Sequence, residues 1–353
     1  MTDHHDTVDP ATTITGGVDT HKDTHTAAAL DGLGRLHATA QFPATRAGYT
    51  RLRDWLCSFG TVTAVGVEGT SSYGAGLTRH LLEHDIPVTE VNRPDRAARR
   101  RHGKNDTLDA INAATAVQSG HATATPKTTT GVAAAAAALR TVRTSASKSR
   151  TVAVNQLHSL LVTAPETLRE TLSGHTGAAL ITHCARLRPG TDPTGPLTAI
   201  TTALRRLARR IQHLTSEIAD ADAELKPLLQ RALPRTTAVF GVGPDTAGQL
   251  LATASDNIDR ITTDAQFAHL CGAAPIPASS GRTNRHRLNR GGDRRANAAL
   301  YRIVIVRMRH DPATRAYVTK RTAQGKTKRD IIRCLKRYVA RELFRTLTTD
   351  LTP

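Results

Sequence analysis

Ten apolar residues between positions 197 and 228 place the tightest constraint on how this chain can fold. Leu197, Ile200, Leu204, Leu207, Ile211, Leu214, Ile218, Ala221, Leu225 and Leu228 succeed one another at alternating spacings of three and four. Such a seam runs straight only along a long α-helix, and it needs another helix to cover it. A lone amphipathic helix on a globular core carries a wider stripe. The spacing therefore predicts coiled-coil pairing. Two partners are open: a second copy of the chain, or the stretch 133–164, whose alanine-rich sequence has high helix propensity. The segment "RPGTDPTGP" (188–196), with its prolines and glycines, separates the two helical regions.

Upstream the pattern changes. "ITGGVDTH" and "THTAAALD" read as strands, "DGLG" as a hairpin turn and "RLHATAQF" as a third strand. "AGYTRLRDWLCSFG" has helical spacing and a terminal glycine, and "TVTAVGVEG" is the apolar, β-branched run of a buried central strand. A helix through "YGAGLTRHLLEH", a short strand "IPVTEV" and further helix to about Gly120 complete the region. Three sequential strands followed by αβαβα is the order of an RNase-H-like α/β fold. The chain thus divides into an α/β domain (12–120), a Thr-rich linker (121–132), a helical coiled-coil region (133–232) and a mainly α C-terminal domain (235–345).

The formal charge is +18 over 353 residues. An excess of that size attracts polyanions, phosphate backbones above all, in a salt-dependent way. No apolar run reaches the roughly 18 residues of a membrane span, so no membrane partner is expected. The polar, acidic N-terminus reads as neither signal nor transit peptide. Four cysteines without paired spacing argue for a reducing, cytoplasmic setting and against a disulfide or zinc framework. The sixteen histidines yield no ligand pair at helical spacing and are expected in solvent or against phosphate. Aromatic residues make up 3% of the chain, too few for stacking on single-stranded bases to dominate recognition.

Four carboxylates stand out. Asp19 ends the first strand and Glu68 ends the buried strand "AVGVEG", while Asp106 and Asp109 in "GKNDTLDA" share one helix face at i and i+3. In an RNase-H-like sheet the first and fourth strands are central neighbours, so Asp19 and Glu68 meet at their C-terminal ends. Carboxylates so crowded need cations, and Mg²⁺ suits an all-oxygen set. Asp23, beyond the strand end, is the second choice for Asp19. The stretch also reads as a helix start, with Asn105 or Asp106 as N-cap. Directly before it, "RPDRAARRRHGK" carries Arg93, Arg96, Arg99, Arg100, Arg101 and Lys104 against one acid, which suits a phosphate backbone drawn toward the acidic cluster.

In the C-terminal region "FGVGPDTAGQLL" sets a turn containing Gly241 and Gly243 before a helix. In helix-hairpin-helix units such a turn aims backbone N–H groups at phosphate. Residues 282–309 hold nine arginines and one aspartate; Arg282, Arg285, Arg287, Arg290, Arg294 and Arg295 are the candidates for phosphate contact. Ser279 and Ser280 precede Gly281 at the head of this run. A serine among guanidinium groups suits attack on a phosphodiester, and equally an ordinary Ser-Gly loop touching phosphate; spacing does not separate the two.

"GVDTHKDTH", "VEGTSSYGAGLTRHL" and "VNRPDRAARRRHGKNDTLDA" resemble the DEDD domain of the insertion sequence 110 transposases. "FGVGPDTAGQLLA", "FAHLCGAAPIPASSGRTNR" and the segment from Ala299 to Arg337 resemble that family's C-terminal domain. The resemblance implies a RuvC-like first domain whose acidic residues are Asp19, Glu68, Asp106 and Asp109. It also implies a serine nucleophile before glycine, Ser280 rather than Ser279, in a composite site of a tetramer. A structured non-coding bridge RNA would guide recombination between donor and target double-stranded DNA, in the cytoplasm at the nucleoid. The family usually carries Asn and Arg where this chain has Asp293 and Asn297, so the nucleic-acid contacts of that helix are expected to differ.

The leading expectation is accordingly an RNA-guided DNA transposase with a covalent Ser280–DNA intermediate and Mg²⁺ at the carboxylates, oligomeric through the coiled coil. A two-metal nuclease or Holliday-junction resolvase using activated water is the enzymatic alternative. A non-catalytic nucleic-acid-binding assembly protein is the other.

Overall fold

A computed structural model describes residues 13–91, 105–127, 131–192, 194–280, 282 and 286–352. The chain forms two units, Met1–Thr129 and Thr130–Pro353.

In the first unit, β1 (Thr13–Thr20), β2 (Thr24–Asp31), β3 (Leu36–Pro43), β4 (Thr61–Glu68) and β5 (Val88–Val91) form one sheet in the order β3-β2-β1-β4-β5. β2 runs antiparallel to β1 and β3, whereas β1, β4 and β5 are parallel. Both the order and the directions are consistent with an RNase-H-like fold. Alternation along the strands sorts the faces. Ile14, Val18, Val65 and Val67 join Leu52 and Leu56 of α1 (Arg46–Cys57) and Leu77 and Leu81 of α2 (Ala75–Leu82) in one core. The opposite face receives α3 (Asp106–Gln118), which buries Ala110, Ala113 and Ala114. Asn105, not Asp106, is the N-cap of α3, accepting from the Thr107 N–H at 3.0 Å. Part of the stretch expected to be a linker pairs with the sheet edge: Glu90 N–H donates to Ala124 O at 2.7 Å.

The second unit is mainly helical. α4 (Gly131–Thr163) and α7 (Pro196–Ala232) are its long members, joined through α5 (Glu166–Ser173) and α6 (Gly177–Arg186). The seam of α7 turns inward. Leu204 and Ile211 pack with Ala153 and Leu157 of α4, and Leu225 and Leu229 with Ala136, so the two helices lie antiparallel within one chain. Of the two partners the spacing left open, α4 covers this seam. Small residues on α4 let the larger α7 side chains seat closely, which the heptad pattern of α7 alone does not reveal. Pro227 lies inside α7 without ending it.

α8 (Pro234–Ala238), α9 (Pro244–Ala254), α10 (Asp264–Leu270), the hairpin β6 (Ile276–Pro277) with β7 (His286–Arg287), α11 (Arg294–His310), α12 (Pro312–Ala323) and α13 (Lys328–Leu351) complete the unit. Its core joins the C-terminal end of α7 to α9, α11 and α13. A buried ionic junction ties these helices. Asp245, in the first turn of α9, meets Arg140 Nε at 3.1 Å, Arg143 Nη1 at 3.4 Å and Arg302 Nη1. Arg143 also grips Asp222 of α7 with two hydrogen bonds, at 2.6 and 3.0 Å.

Burial on its own would raise the Asp245 carboxyl, but Arg302, Arg140 and Arg143 outweigh it and hold the group below its ordinary value. A depressed carboxylate contributes stability above its unfolded pKa and loses it as pH falls through the folded one. Asp245→Asn is expected to lower stability by about 3 kcal/mol at neutral pH, because it leaves buried guanidinium groups short of a counter-charge. In urea titrations the gap between wild type and variant should close below about pH 3.9.

Candidate functional site

The site is set by two matching tripeptides. Gly17-Val18-Asp19 lies one residue before the end of β1 and Gly66-Val67-Glu68 closes β4, and Gly17 lies opposite Gly66 in the parallel register. Residues i and i+2 of a strand share a face, so each glycine sits below its carboxylate on the side covered by α3. A Cβ on Gly17 would fall 2.1 Å from Ala110 O and 2.3 Å from Ala114 N; one on Gly66 would fall 2.6 Å from Ala113 O. The backbone of α3 therefore rests directly on the sheet, and its first turn reaches the strand ends.

There the structure places Asp19, Glu68 and Asp109 round one pocket of about 220 Å³, with Thr20, His21, Gly69 and Ser72 completing its lining. Asp19 and Asp109 are buried, Glu68 is half-buried and the Asp106 side chain is 45% exposed. Thr20 Oγ1 donates to Glu68 O at 2.7 Å and ties the two strand ends together. The positive end of α3 favours Asp106 and Asp109 in its first turn, which offsets part of the repulsion among the carboxylates.

His21 belongs to this site and was not among the sequence candidates. Its Nε2 lies 3.2 Å from Asp19 Oδ2 and 3.4 Å from Asp106 Oδ1. The available signal was the spacing Asp19-x-His21 at a strand end, which points both side chains to one side, rather than any helical pair of histidines. Asp23 sits exposed in the turn after β1 and does not line the pocket. Burial raises the Asp19 carboxyl; His21 pulls it down, while Asp106 and Asp109 push it up, and the net shift is upward.

The donor set fits a divalent cation. Asp19 Oδ2 and His21 Nε2 are sealed from solvent without a well-formed hydrogen bond, and with a carboxylate oxygen of Asp106 they offer ligand atoms within 4.8 Å of one another. Oxygen-rich sets of this kind suit hard divalent ions, and one imidazole is compatible with the first-row members.

The other candidates lie in the second unit or outside the description. Ser279 and Ser280 are exposed in the hairpin loop after β6, and Arg282, Arg287, Arg290, Arg294 and Arg295 are exposed along the same segment. Arg93, Arg96, Arg99, Arg100, Arg101, Lys104 and Arg285 lie outside the described residues. Gly241, at φ +88, and Gly243, the N-cap of α9, form the turn that opens that helix. Asp293 caps α11 by accepting from Arg295 N–H and Ala296 N–H. Asn297 donates to backbone carbonyls. The two positions that depart from the family pattern thus serve the protein's own backbone.

An acidic pocket at the C-terminal ends of β1 and β4, closed by a helix on an RNase-H-like sheet, defines an α/β protein with a candidate divalent-cation site. Residues 16–164 match the DEDD transposase family model of the IS110 type, and residues 235–319 match the model of the transposase IS116/IS110/IS902 family. Together they cover well over half of the chain, which belongs to the IS110 family of transposases. Among curated relatives it is 27% identical to an uncharacterized 42 kDa protein of insertion element IS900 from Mycobacterium paratuberculosis, over 48% of this chain and 43% of the relative. It is 35% identical to an uncharacterized 43.6 kDa protein of insertion element IS110 from Streptomyces coelicolor, over 36% of this chain and 32% of the relative. Both matches span less than half of the relative's length. No helix among the described residues is long and apolar enough to cross a membrane.

Two outcomes test the site. Gly66→Ala is expected to lift α3 from the sheet and to weaken Mn²⁺ binding by at least about tenfold in calorimetry, the factor corresponding to about 1.4 kcal/mol. Gly16→Ala, whose new methyl would meet only the ends of the Leu56 and Val65 side chains, should bind nearly as wild type. The second outcome concerns pH. A carboxyl raised in the folded state contributes stability that is present below its unfolded pKa and lost as pH rises through the folded one. In chelator the melting temperature of the first unit should fall as pH climbs from about 4, and added Mg²⁺ should remove that fall.

Proposed function

We propose that the chain is a DNA transposase that cuts and rejoins donor and target double-stranded DNA through a covalent Ser280–DNA intermediate. A structured bridge RNA guides it by base pairing. The chain acts in the cytoplasm at the nucleoid as a homo-oligomer, a dimer through the helical region and a tetramer in the active complex. The observation that carries the reading is the acidic pocket, formed by Asp19, Glu68 and Asp109 within the segment that matches a transposase family. Asp19, Glu68, Asp106 and Asp109 would hold Mg²⁺, which would supply charge neutralisation on the scissile phosphate. Because α4 covers the α7 seam, a second copy would pair through other surfaces of this helical hairpin.

The chain's own groups have distinct tasks in this scheme. Arg282, Arg287 and Arg290 flank the serine loop and hold the phosphodiester by charge-assisted hydrogen bonds. Ser280 Oγ forms a bond to phosphorus as the bond from phosphorus to the leaving sugar oxygen breaks. The proton lost by the hydroxyl is balanced by one taken up at that oxygen. Reversal by a different DNA hydroxyl releases the serine and rejoins the strands without net hydrolysis. Ser280 is exposed, as a group that must reach DNA requires.

A second reading, a nuclease or junction resolvase acting through water, is favoured by one feature: the acidic pocket is assembled within the first unit by itself. The protein should be incubated with its RNA, DNA and Mg²⁺, then denatured. A DNA-linked protein band is expected in wild type and absent in Ser280→Ala. A band surviving that change removes Ser280 from its role; cut DNA without a band favours the water mechanism.

A further inference from the structure

The serine loop is long, and its shape depends on how its neck is closed. Between Cys271, at the end of α10, and Asp293, at the start of α11, the described secondary structure is the pairing of Ile276 with Arg287 and Pro277 with His286, and a single-residue β-bridge at Ser280. A connection of that length keeps one conformation only if its ends are held together.

They are held closely. Gly292 lies against Gly272 so tightly that a Cβ on Gly292 would fall 2.4 Å from Gly272 N, and Gly272 itself has φ +63. Asp293 N–H donates to Leu270 O at 2.7 Å, and Asn289 Nδ2 donates to His269 O at 2.8 Å. From the first turns of α11, Asn297 Nδ2 donates to both Cys271 O at 2.8 Å and Gly272 O at 3.0 Å. Helix ends leave such carbonyls without intrahelical partners, and here side-chain amides supply them. Lys336 of α13 donates to Asn297 Oδ1 at 2.9 Å. This contact turns the amide so that its N–H groups face the neck. Lys336 is half-buried, and burial lowers its pKa.

We propose that Asn297 is a positioning residue for Ser280: its amide, oriented by Lys336, clips the start of the serine loop to the first turns of α11 and fixes where the hydroxyl stands. The proposal rests on the reading of Ser280 as nucleophile. The chemistry of the clip explains the residue type. Both carbonyls need a donor, and the lysine needs an acceptor. On so short a stem a carboxamide supplies two donor hydrogens on one nitrogen together with an acceptor oxygen, which a hydroxyl with its single hydrogen does not.

Asn297→Asp tests this in the full-length protein, since it keeps size and the Lys336 contact while replacing the donor with a second acceptor against two carbonyls. Amide exchange across 273–291 should rise in the variant. Adduct formation at saturating DNA should slow by about tenfold to 100-fold, with DNA affinity and folded fraction unchanged. Asn297→Gln, which restores the amide, should recover part of the rate. A purely structural role would lower the amplitude of adduct formation and the melting temperature together and leave the rate of the folded fraction alone. Unchanged exchange in Asn297→Asp, or an adduct rate equal to wild type, overturns the proposal. An adduct persisting in Ser280→Ala overturns the serine reading and with it the positioning role, while the exchange data still judge the clip independently.

Discussion

The acidic pocket depends on the absence of two β-carbons. At Gly17 and Gly66, opposite one another on the central parallel strands, the backbone of α3 touches the backbone of the sheet. With any side chain there the helix would stand off by the thickness of a methyl group. Its first-turn aspartates would then no longer reach the ends of β1 and β4. Close approach also concentrates charge: Asp19 is buried beside Asp106 and Asp109, and its carboxyl rises accordingly. The fold answers with the positive end of α3 and with His21. The remaining imbalance is the physical reason this pocket suits a cation.

In the second unit a comparable role falls to the junction at Asp245. One carboxylate receives guanidinium groups from α4 and α11, while Arg143 links onward to α7. The junction lies directly behind the glycine turn that opens α9. The same helix reaches α11 through Thr253, whose hydroxyl donates to the Asp293 carboxylate at 2.8 Å. Asp293 caps α11, and α11 carries Asn297. The helix α9 thus carries the ionic junction at its start and the Thr253–Asp293 contact, beside the neck of the serine loop, at its end.

Much of the first unit was legible because strand alternation and helix spacing are local. The three strands, the buried "TVTAVGVEG" and the helix at Asp106 all follow from patterns within a dozen residues. The carboxylates at strand ends were legible for the same reason. His21 was not, because its relevance lies in a turn whose direction only the packed sheet defines. The α7 seam was visible as a seam, but its partner was not: complementarity with the alanines of α4 is a property of two surfaces together. Asp293 and Asn297 read as departures within an arginine-rich run, and only the contacts reveal a cap and a clip.

The sequence by itself determined the basic charge, the succession of strands and helices along the chain, the long helices and the identity of the acidic side chains, because these follow from composition and short-range periodicity. Tertiary structure alone decided how close α3 could come to the sheet, which histidine joins the carboxylates and which helix covers the heptad seam. It also decided how the serine loop is closed. Each of these is set by distances between segments remote in sequence, and a separation of one methyl group is enough to change the outcome.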